Sequence, residues 1–305
     1  MRLAVKLFAI ALALGLIIVV FRFTFLLSAK DPNTTATQTV EIKANSTRAE
    51  VAKQLDDAKL IKSPAAFLLY SRLTRADFIP GPYELSANES ASEMILMMSH
   101  GDFKTVKITL LEGWRAKDME KYLVEDRGLK QFVGFTAVAE KDEGYLFPDT
   151  YEIKADETIA GLIKILKDNF TSRTKDLKNL TPDVVILASI VEREAGANDD
   201  RSQIASVYVN RLKIGMKLQA DPTVQYAKGS WAVLDAGDVQ TVASPYNTYL
   251  NAGLPPGPIC NPGLKSLQAA LAPATTNYYF FFTAHGTTYY SQTAAEQATK
   301  VKKYF

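Results

Sequence analysis

The feature that most constrains this chain is an apolar run over residues 7–27, in which Arg22 is the only charged residue. As a helix this run would be about 30 Å long, which matches the hydrocarbon core of a bilayer, and Arg22 near its far end can extend its charge to the headgroups. Arg2 and Lys6 precede the run, and basic residues there favour a cytoplasmic N-terminus with the remaining chain on the other side. The sequence therefore predicts a retained transmembrane anchor over residues 1–30.

A cleaved signal peptide is the alternative, because residues 7–21 would also suit its hydrophobic region. The residues at a possible cleavage site, Leu27-Ser28-Ala29, place a bulky leucine where a small side chain is required. This mismatch favours a retained anchor, with the chain from Lys30 onward periplasmic or extracellular.

Composition indicates a globular chain and excludes several function classes. With 305 residues, 47% hydrophobic and 22% charged, the chain is long enough for about two domains besides the anchor. A formal charge of +2, without a basic run or a glycine-rich phosphate loop, argues against nucleic acid as a partner. The single Cys260 cannot form an internal disulfide, and no cysteine–histidine cluster predicts a metal or another cofactor. His100 and His285 both precede glycine, which is typical of helix caps and turns.

Residues 31–37 are polar, threonine-rich and without periodicity, which is typical of a linker. Over residues 38–101 the patterns predict a strand, two helices and a second strand, a small βααβ module closed by one more helix. Residues 102–305 predict a larger mixed domain that starts as strand, turn and helix. It has helical periodicity over residues 158–170 and ends with two strands around a His-Gly turn and a short helix. The predicted fold class is α+β.

Residues 182–195, PDVVILASIVEREA, are most simply one helix, with Thr181 as N-cap and Gly196 as C-terminal stop. Its body is apolar nearly all round, which indicates a core helix. The two glutamates at its end lie on different faces. Glu192 shares its face with the small residues Ala188, Ser189 and Ala195. Glu194 shares its face with the large apolar residues Leu187, Ile190 and Val191.

The small neighbours of Glu192 leave room for a ligand. At the mouth of an apolar helix, desolvation is expected to raise the pKa of a carboxyl, which would let Glu192 act as a general acid near neutral pH. A departing glycosidic oxygen needs such an acid. The alternative is that both glutamates form structural ion pairs with arginines such as Arg193, Arg201 or Arg211, and the helix alone leaves both readings open.

Two downstream segments favour a carbohydrate site. Residues 207–227 and 244–263 combine amides, tyrosines and a carboxylate with prolines and glycines that stiffen their loops. Tyrosine rings can pack on the apolar face of a sugar while amides bond its hydroxyls. Each segment alone is also compatible with ordinary loop geometry.

Several long motifs, in the correct order, resemble the YceG-like (MltG) family of membrane-bound endolytic lytic murein transglycosylases. The resemblance covers essentially the whole chain, including the anchor and a LysM-like module at residues 38–101. It is carried by LLEGW (110–114), EGYLFPDTY (143–151), ASIVEREA (188–195), VYVNRLKIGMKLQADPTV (207–224), YNTY (246–249) and GLPPGPICNPG (253–263).

The resemblance implies cleavage of the β-1,4 bond between N-acetylmuramic acid and N-acetylglucosamine within peptidoglycan strands. No water is added, 1,6-anhydromuramyl ends result, and the substrate is nascent glycan during cell wall synthesis. The resemblance also implies an inner-membrane protein with one spanning helix and a periplasmic catalytic domain over residues 102–305. Peptidoglycan strands are then the main partner, and proteins of cell wall synthesis are candidate partners.

By motif position the resemblance makes Glu192 the catalytic residue, first as acid and then as base. It places six further residues along the glycan groove: Gln219, Asp221, Tyr246, Asn247, Tyr249 and Glu112. For two of them a structural role is the alternative, an Asx-turn for Asp221 and a helix cap for Glu112.

Two other classes of function remain open. The first is a hydrolytic muramidase with Asp221 as the second carboxylate. The second is a non-catalytic scaffold in which the module and the groove only hold peptidoglycan.

The anchor can be tested directly. We expect residues 7–27 to remain in the mature protein as a transmembrane helix, because the run is long enough to span and its cleavage site is poor. N-terminal sequencing and membrane fractionation measure this. Mature protein that begins near Lys30 in a soluble fraction would contradict it.

Overall fold

The computed structural model describes residues 2–195, 200–235 and 237–304. The chain forms two compact units, one of residues 1–106 with 152–156 and the other of residues 107–151 with 157–305. Both units mix helices with short strands, which confirms the α+β class. In the described chain the strands form three separate two-stranded sheets.

The first unit begins with a long apolar helix and continues as the predicted succession of strand, helix, helix and strand. Its elements are α1 (Arg2–Leu27), β1 (Thr37–Ile42), α2 (Arg48–Asp57), α3 (Pro64–Leu73), β2 (Gly81–Ser86) and α4 (Ala91–His100). From Lys6 to Leu27, α1 is long and apolar enough to cross a membrane. Strands β1 and β2 pair antiparallel with Val40 opposite Tyr83.

Side-chain caps fix the helix ends of this unit. Thr47 and Glu50 form a capping box at the start of α2, and Ser90 and Glu93 form another at the start of α4. Helix α4 ends where Gly101 takes a left-handed conformation at φ 74°, which confirms the predicted cap after His100. These caps therefore fix where α2 and α4 begin and where α4 ends.

The segment that follows α1 is held against the module. The main-chain N–H of Asp31 donates to the Ala87 carbonyl (2.8 Å), and the Lys62 ammonium donates to the Ser28 hydroxyl (2.8 Å). The last turns of α1 also pack on the buried core of the first unit, through Phe23, Leu26 and Leu27. The end of α1 is thus continuous with the folded module, despite the linker-like composition of residues 31–37.

The second unit is built around three helices that pack on one another: α8 (Pro182–Glu194), α9 (Arg201–Lys213) and α12 (Leu264–Leu271). Every residue of α8 from Val185 to Val191 is buried, as its all-round apolar sequence predicts. The other α-helices described in this unit are α5 (Ala116–Lys121), α6 (Phe135–Ala139), α7 (Ile159–Thr174), α10 (Asp221–Ala227), α11 (Asp238–Thr241) and α13 (Ala294–Tyr304).

The remaining strands are β3 (Thr105–Thr109) and β4 (Thr150–Lys154), and the hairpin of β5 (Phe280–Ala284) and β6 (Thr287–Ser291). His285 and Gly286 have φ values of 50° and 75°, so they form the predicted turn of this hairpin. The chain passes between the two units within β3 and β4.

Two predicted helix ends differ from the structure. Helix α7 continues to Thr174, four residues beyond the predicted end at Phe170, and Phe170 and Thr174 are both buried on its core-facing side. Helix α8 ends at Glu194, with Ala195 as its C-cap. Gly196, the predicted stop, lies outside the described residues.

Candidate active site

Glu192 lies in the last turn of α8, and its side chain is 6% exposed. The main-chain N–H of Gly263, just before α12, donates to its Oε2 atom (2.8 Å). Arg201, at the start of α9, donates to Oε1 (3.3 Å) and forms an ion pair with it. The three core helices of this unit therefore hold the Glu192 carboxylate in one place, and the arginine pairing considered from the sequence is present.

Glu112 reaches the same glycine from the turn that precedes α5. A Cβ atom built on Gly263 would lie 1.9 Å from Oε1 of Glu112, so this carboxyl packs where only a glycine leaves room. Burial raises the pKa of Glu112, and the charge of Glu192 raises it further, whereas Arg201 and Lys265 lower it. Two carboxyl groups thus meet at Gly263.

The fully buried Asn261 ties together the loops around these carboxyls. Its side-chain amide makes four hydrogen bonds, to the Trp114 carbonyl (3.0 Å), Glu143 Oε1 (2.6 Å), and the N–H groups of Gly144 (2.8 Å) and Leu146 (3.0 Å). Its main chain also exchanges two hydrogen bonds with residues 113–114. One side chain therefore joins three of the motifs quoted from the sequence.

Glu143 is a buried carboxyl that the sequence analysis did not single out. Burial raises its pKa to about 8, although hydrogen bonds from the Ala116 N–H and the Asn261 amide act in the opposite direction. Glu143 lines a pocket of about 470 Å³ together with Tyr226 and Tyr246, whose ring centroids are 4.7 Å apart. Tyr246, predicted to line a glycan groove, therefore lies in a pocket with Glu143.

Glu194 does not form the arginine ion pair that the sequence left open for it. The Tyr208 hydroxyl donates to its Oε1 atom (2.7 Å), and no ion pair to Glu194 is present in the described chain. Arg211, one of the three arginines considered from the sequence, donates to the carbonyls of Leu218 and Tyr279. The arginine pairing of Glu194 was wrong because the buried Tyr208 occupies that place.

Burial raises the pKa of Glu194 to about 7. The Tyr208 hydrogen bond and the charge of Arg211 lower it, whereas the charge of Asp221 raises it further. Asp221 begins α10 and accepts a hydrogen bond from the Tyr249 hydroxyl (2.5 Å). Asp221 and Tyr249 therefore lie near Glu194.

Gln219 is exposed and has a left-handed backbone with φ 49°. Its N–H donates to the Thr248 carbonyl (3.2 Å), which ties the segment before α10 to the YNTY motif. The Gln219 side chain is therefore presented from a segment that is fixed at its main chain.

Asn247 does not line a groove, because none of it is exposed. Its amide donates to the carbonyls of Val239 (3.1 Å) and Val242 (2.9 Å), and its oxygen accepts from the Tyr249 N–H (2.9 Å). The prediction for Asn247 was wrong: a buried amide with three backbone partners shapes its loop.

The predicted site residues thus fall into three neighbourhoods. Glu112 and Glu192 meet at Gly263, Asp221 and Tyr249 belong with Glu194, and Tyr246 lies in the Glu143 pocket. Sequence reasoning missed Gly263, Asn261 and Glu143. All three lie inside the quoted motifs, but nothing in their spacing shows that distant segments converge on them.

The buried carboxyl of Glu143 predicts a pH dependence of stability. Because the pKa is raised, the folded state binds the proton more tightly than the unfolded state does, and protonation therefore stabilises the fold. The stabilisation is complete below about pH 4.5, the pKa in the unfolded state, and is lost as the pH rises to about 8. We expect the unfolding free energy of the wild type to fall across this range. In the Glu143→Gln variant, the unfolding free energy should fall less over the same range, by on the order of a few kcal/mol.

Urea unfolding at about pH 5 and about pH 9 measures this difference. Glu194 titrates in the same direction, so Glu143→Gln should retain the smaller fall due to Glu194. Glu125→Gln, at an exposed position of the same unit, is the matched control. An identical pH dependence in the wild type and Glu143→Gln would contradict the prediction.

Comparison with known proteins relates most of the chain to one family. The model of the YceG-like family matches residues 40–303. An endolytic murein transglycosylase of Bacillus subtilis is 31% identical over 312 residues, which span 90% of this chain and 86% of that protein. One of Streptococcus pneumoniae is 26% identical over 332 residues, and the match spans 90% of this chain and 59% of that longer protein.

A solved structure gives the same relation. The crystal structure of a putative YceG-like protein from Listeria monocytogenes superimposes with a TM-score of 0.52 at 31% identity, and covers 88% of this chain and 100% of that one. Family match, relatives and structure agree over most of the length. The chain therefore belongs to the YceG-like family.

Proposed function

We propose that this protein is an endolytic lytic transglycosylase. It cleaves the β-1,4 bond between N-acetylmuramic acid and N-acetylglucosamine inside peptidoglycan strands and leaves 1,6-anhydromuramyl ends. The observation that carries the proposal is the Glu192 carboxyl, fixed at the end of a core helix by Gly263 and Arg201. The relatives in Bacillus subtilis and Streptococcus pneumoniae, both named endolytic murein transglycosylases, support the same activity.

Glu192 acts first as an acid and then as a base. Its carboxyl proton passes to the glycosidic oxygen as the bond from that oxygen to the muramyl C1 breaks, and an oxocarbenium-like state forms at C1. The resulting carboxylate then takes the proton of the muramyl 6-hydroxyl, whose oxygen bonds to C1. One proton moves out and one returns, so no water is consumed.

The neighbours of Glu192 suit this cycle. The Gly263 N–H and Arg201 donate hydrogen bonds, which stabilise the carboxylate that exists after the proton has left. The raised pKa of Glu112 gives that carboxyl a larger protonated fraction than an ordinary glutamate, so it can donate a hydrogen bond to a sugar oxygen. Glu112 is therefore proposed as a substrate-binding residue rather than a cap.

The remaining substrate contacts follow the three neighbourhoods. Gln219, Asp221 and Tyr249 bind glycan beside Glu194, and Tyr246 binds it in the Glu143 pocket. The LysM-like module over residues 38–101 holds the glycan polymer. Helix α1 anchors the protein in the inner membrane with the catalytic domain in the periplasm, where nascent strands and cell wall synthesis proteins are its partners.

Hydrolysis is the second candidate, and one observation favours it. Glu194, with a pKa of about 7, lies close enough to Asp221 for their charges to interact. Two carboxyl groups close together, one of them with a raised pKa, are the arrangement of a hydrolytic glycosidase. In that case Glu194 would be the acid, Asp221 the second carboxylate, and water the acceptor.

Product analysis of two matched variants separates these functions. Purified full-length protein in detergent should release 1,6-anhydromuramyl ends from sacculi, measured by mass spectrometry. Glu192→Gln keeps the size of the side chain but removes its proton, so product formation should fall by about 100-fold or more with glycan binding retained. Glu194→Gln still accepts from Tyr208 and should keep most of its turnover.

Thermal midpoints of both variants distinguish chemical failure from misfolding. Reducing muramyl ends from the wild type would establish hydrolysis, and binding without any product would establish a scaffold. A folded but inactive Glu194→Gln beside an active Glu192→Gln would assign the acid to Glu194.

A further inference from the structure

Trp231 lies beside two guanidinium groups close to the proposed acid. The guanidinium carbon of Arg193 is 4.0 Å from the centroid of a Trp231 ring, and that of Arg115 is 4.5 Å away. Arg193 directly follows Glu192 on α8. Gly113 leaves space for it, since a Cβ atom at Gly113 would lie 3.3 Å from Arg193 Nη1. Cation–π contact therefore holds the Arg193 guanidinium in a fixed position beside the site.

Among the residues that the structure describes, a carboxylate is bonded to only one of these two arginines. Asp118 accepts two side-chain hydrogen bonds from Arg115 (both 2.9 Å), one from the Arg115 N–H (3.0 Å) and one from the Trp231 indole N–H (3.1 Å). Three of these donors bond Oδ2 and one bonds Oδ1. Asp118 therefore balances the charge of Arg115, and it has no hydrogen bond from Arg193.

The neighbouring Glu192 is also committed elsewhere, to Arg201 and Gly263. Among the side chains that the structure describes, none forms an ion pair or hydrogen bond with Arg193, and its buried Nε atom lacks an acceptor. An unsatisfied donor on a charged group is costly. The rest of the side chain is only half-buried, so its outer N–H groups can be reached from solvent. Arg193 is thus a positioned cation with unused donors, one residue from the proposed acid.

We propose that Arg193, held on Trp231, is a subsite for a carboxylate of the glycan substrate. This inference rests on the function proposed above and adds a recognition element to it. A guanidinium matches a carboxylate with two parallel hydrogen bonds, and such charge-assisted pairs are among the strongest in proteins. The rigid Trp231 contact reduces the side-chain entropy lost when the ligand binds.

The chemistry of peptidoglycan limits where this carboxylate can come from. Its N-acetylglucosamine units are neutral, and its acidic groups are attached through the lactyl ether of the muramyl sugar. They are either carboxylates of a stem peptide or, where the peptide has been removed, the lactyl carboxylate itself. Arg193 therefore selects muramyl-containing strands over neutral polymers of N-acetylglucosamine.

Binding measurements test this without depending on product chemistry. Full-length Glu192→Gln protein in detergent is titrated with three oligosaccharides of equal length, and their intact recovery is checked. The first is a peptidoglycan fragment with stem peptides, the second is the same fragment after the peptides are removed by an amidase, and the third is an N-acetylglucosamine oligomer. When Arg193→Gln is combined with Glu192→Gln, the affinity for an acidic ligand should fall by about tenfold, and the affinity for the neutral oligomer should not change.

The three ligands identify the source of the carboxylate. A loss confined to the first ligand assigns a stem-peptide carboxylate, a loss confined to the second assigns the lactyl carboxylate, and a loss on both assigns a site that accepts either. Arg193→Lys, which keeps the charge but not the planar fork, should recover part of the affinity if the variants fold alike by thermal midpoint. Arg127→Gln, which removes an exposed arginine that bonds the Lys107 carbonyl, is the matched control.

An unchanged affinity for both acidic ligands, or an equal loss on all three, would overturn the subsite. If the Glu192→Gln protein still cleaves the ligands, the binding series is repeated in Glu194→Gln protein. Failure of the proposed function has a separate signature, namely wild-type protein that releases no 1,6-anhydromuramyl ends. The two ideas can therefore fail independently.

Discussion

The arrangement of the second unit depends on one buried amide. The Asn261 side chain bonds four partners from two other segments of the chain, three main-chain groups and one buried carboxyl. The same loop ends two residues later at Gly263, which contacts both Glu112 and Glu192. Asn261 thus helps to set the position of the two carboxyls, together with the hydrogen bonds that Ile259 and Cys260 of the same loop make to Ser189.

Charge is distributed unevenly around this centre. Glu192 has an arginine and a main-chain donor as partners, so it is placed where its ionised form is stabilised. Glu143 and Glu194 are buried with neutral partners, and burial raises the pKa of both. The second unit therefore contains carboxyls in two kinds of surroundings, one bonded to a charged donor and two bonded to neutral donors.

Patterns local in sequence predicted most of the fold. The βααβ order, the cap at Gly101, the core character of α8 and the His285-Gly286 hairpin turn all follow from spacing and turn chemistry within a few residues. The site was predicted less completely, because its contacts join segments far apart in sequence. Tyr208 displaced the expected arginine partner of Glu194, and Asn247 became a buried support instead of a contact residue. Helical faces show which way a side chain points, but not which distant residue meets it.

The contact between α1 and the module limits where the module can be. Leu27 belongs to the buried core of the first unit, and Asp31 is already bonded to Ala87. No free length of chain therefore separates the last turn of the apolar helix from the folded domain. With α1 in a bilayer, this unit cannot swing out on a tether and stays at the lipid headgroups. Whatever the module contacts must then lie close to the membrane surface, within the reach of a domain that has no tether.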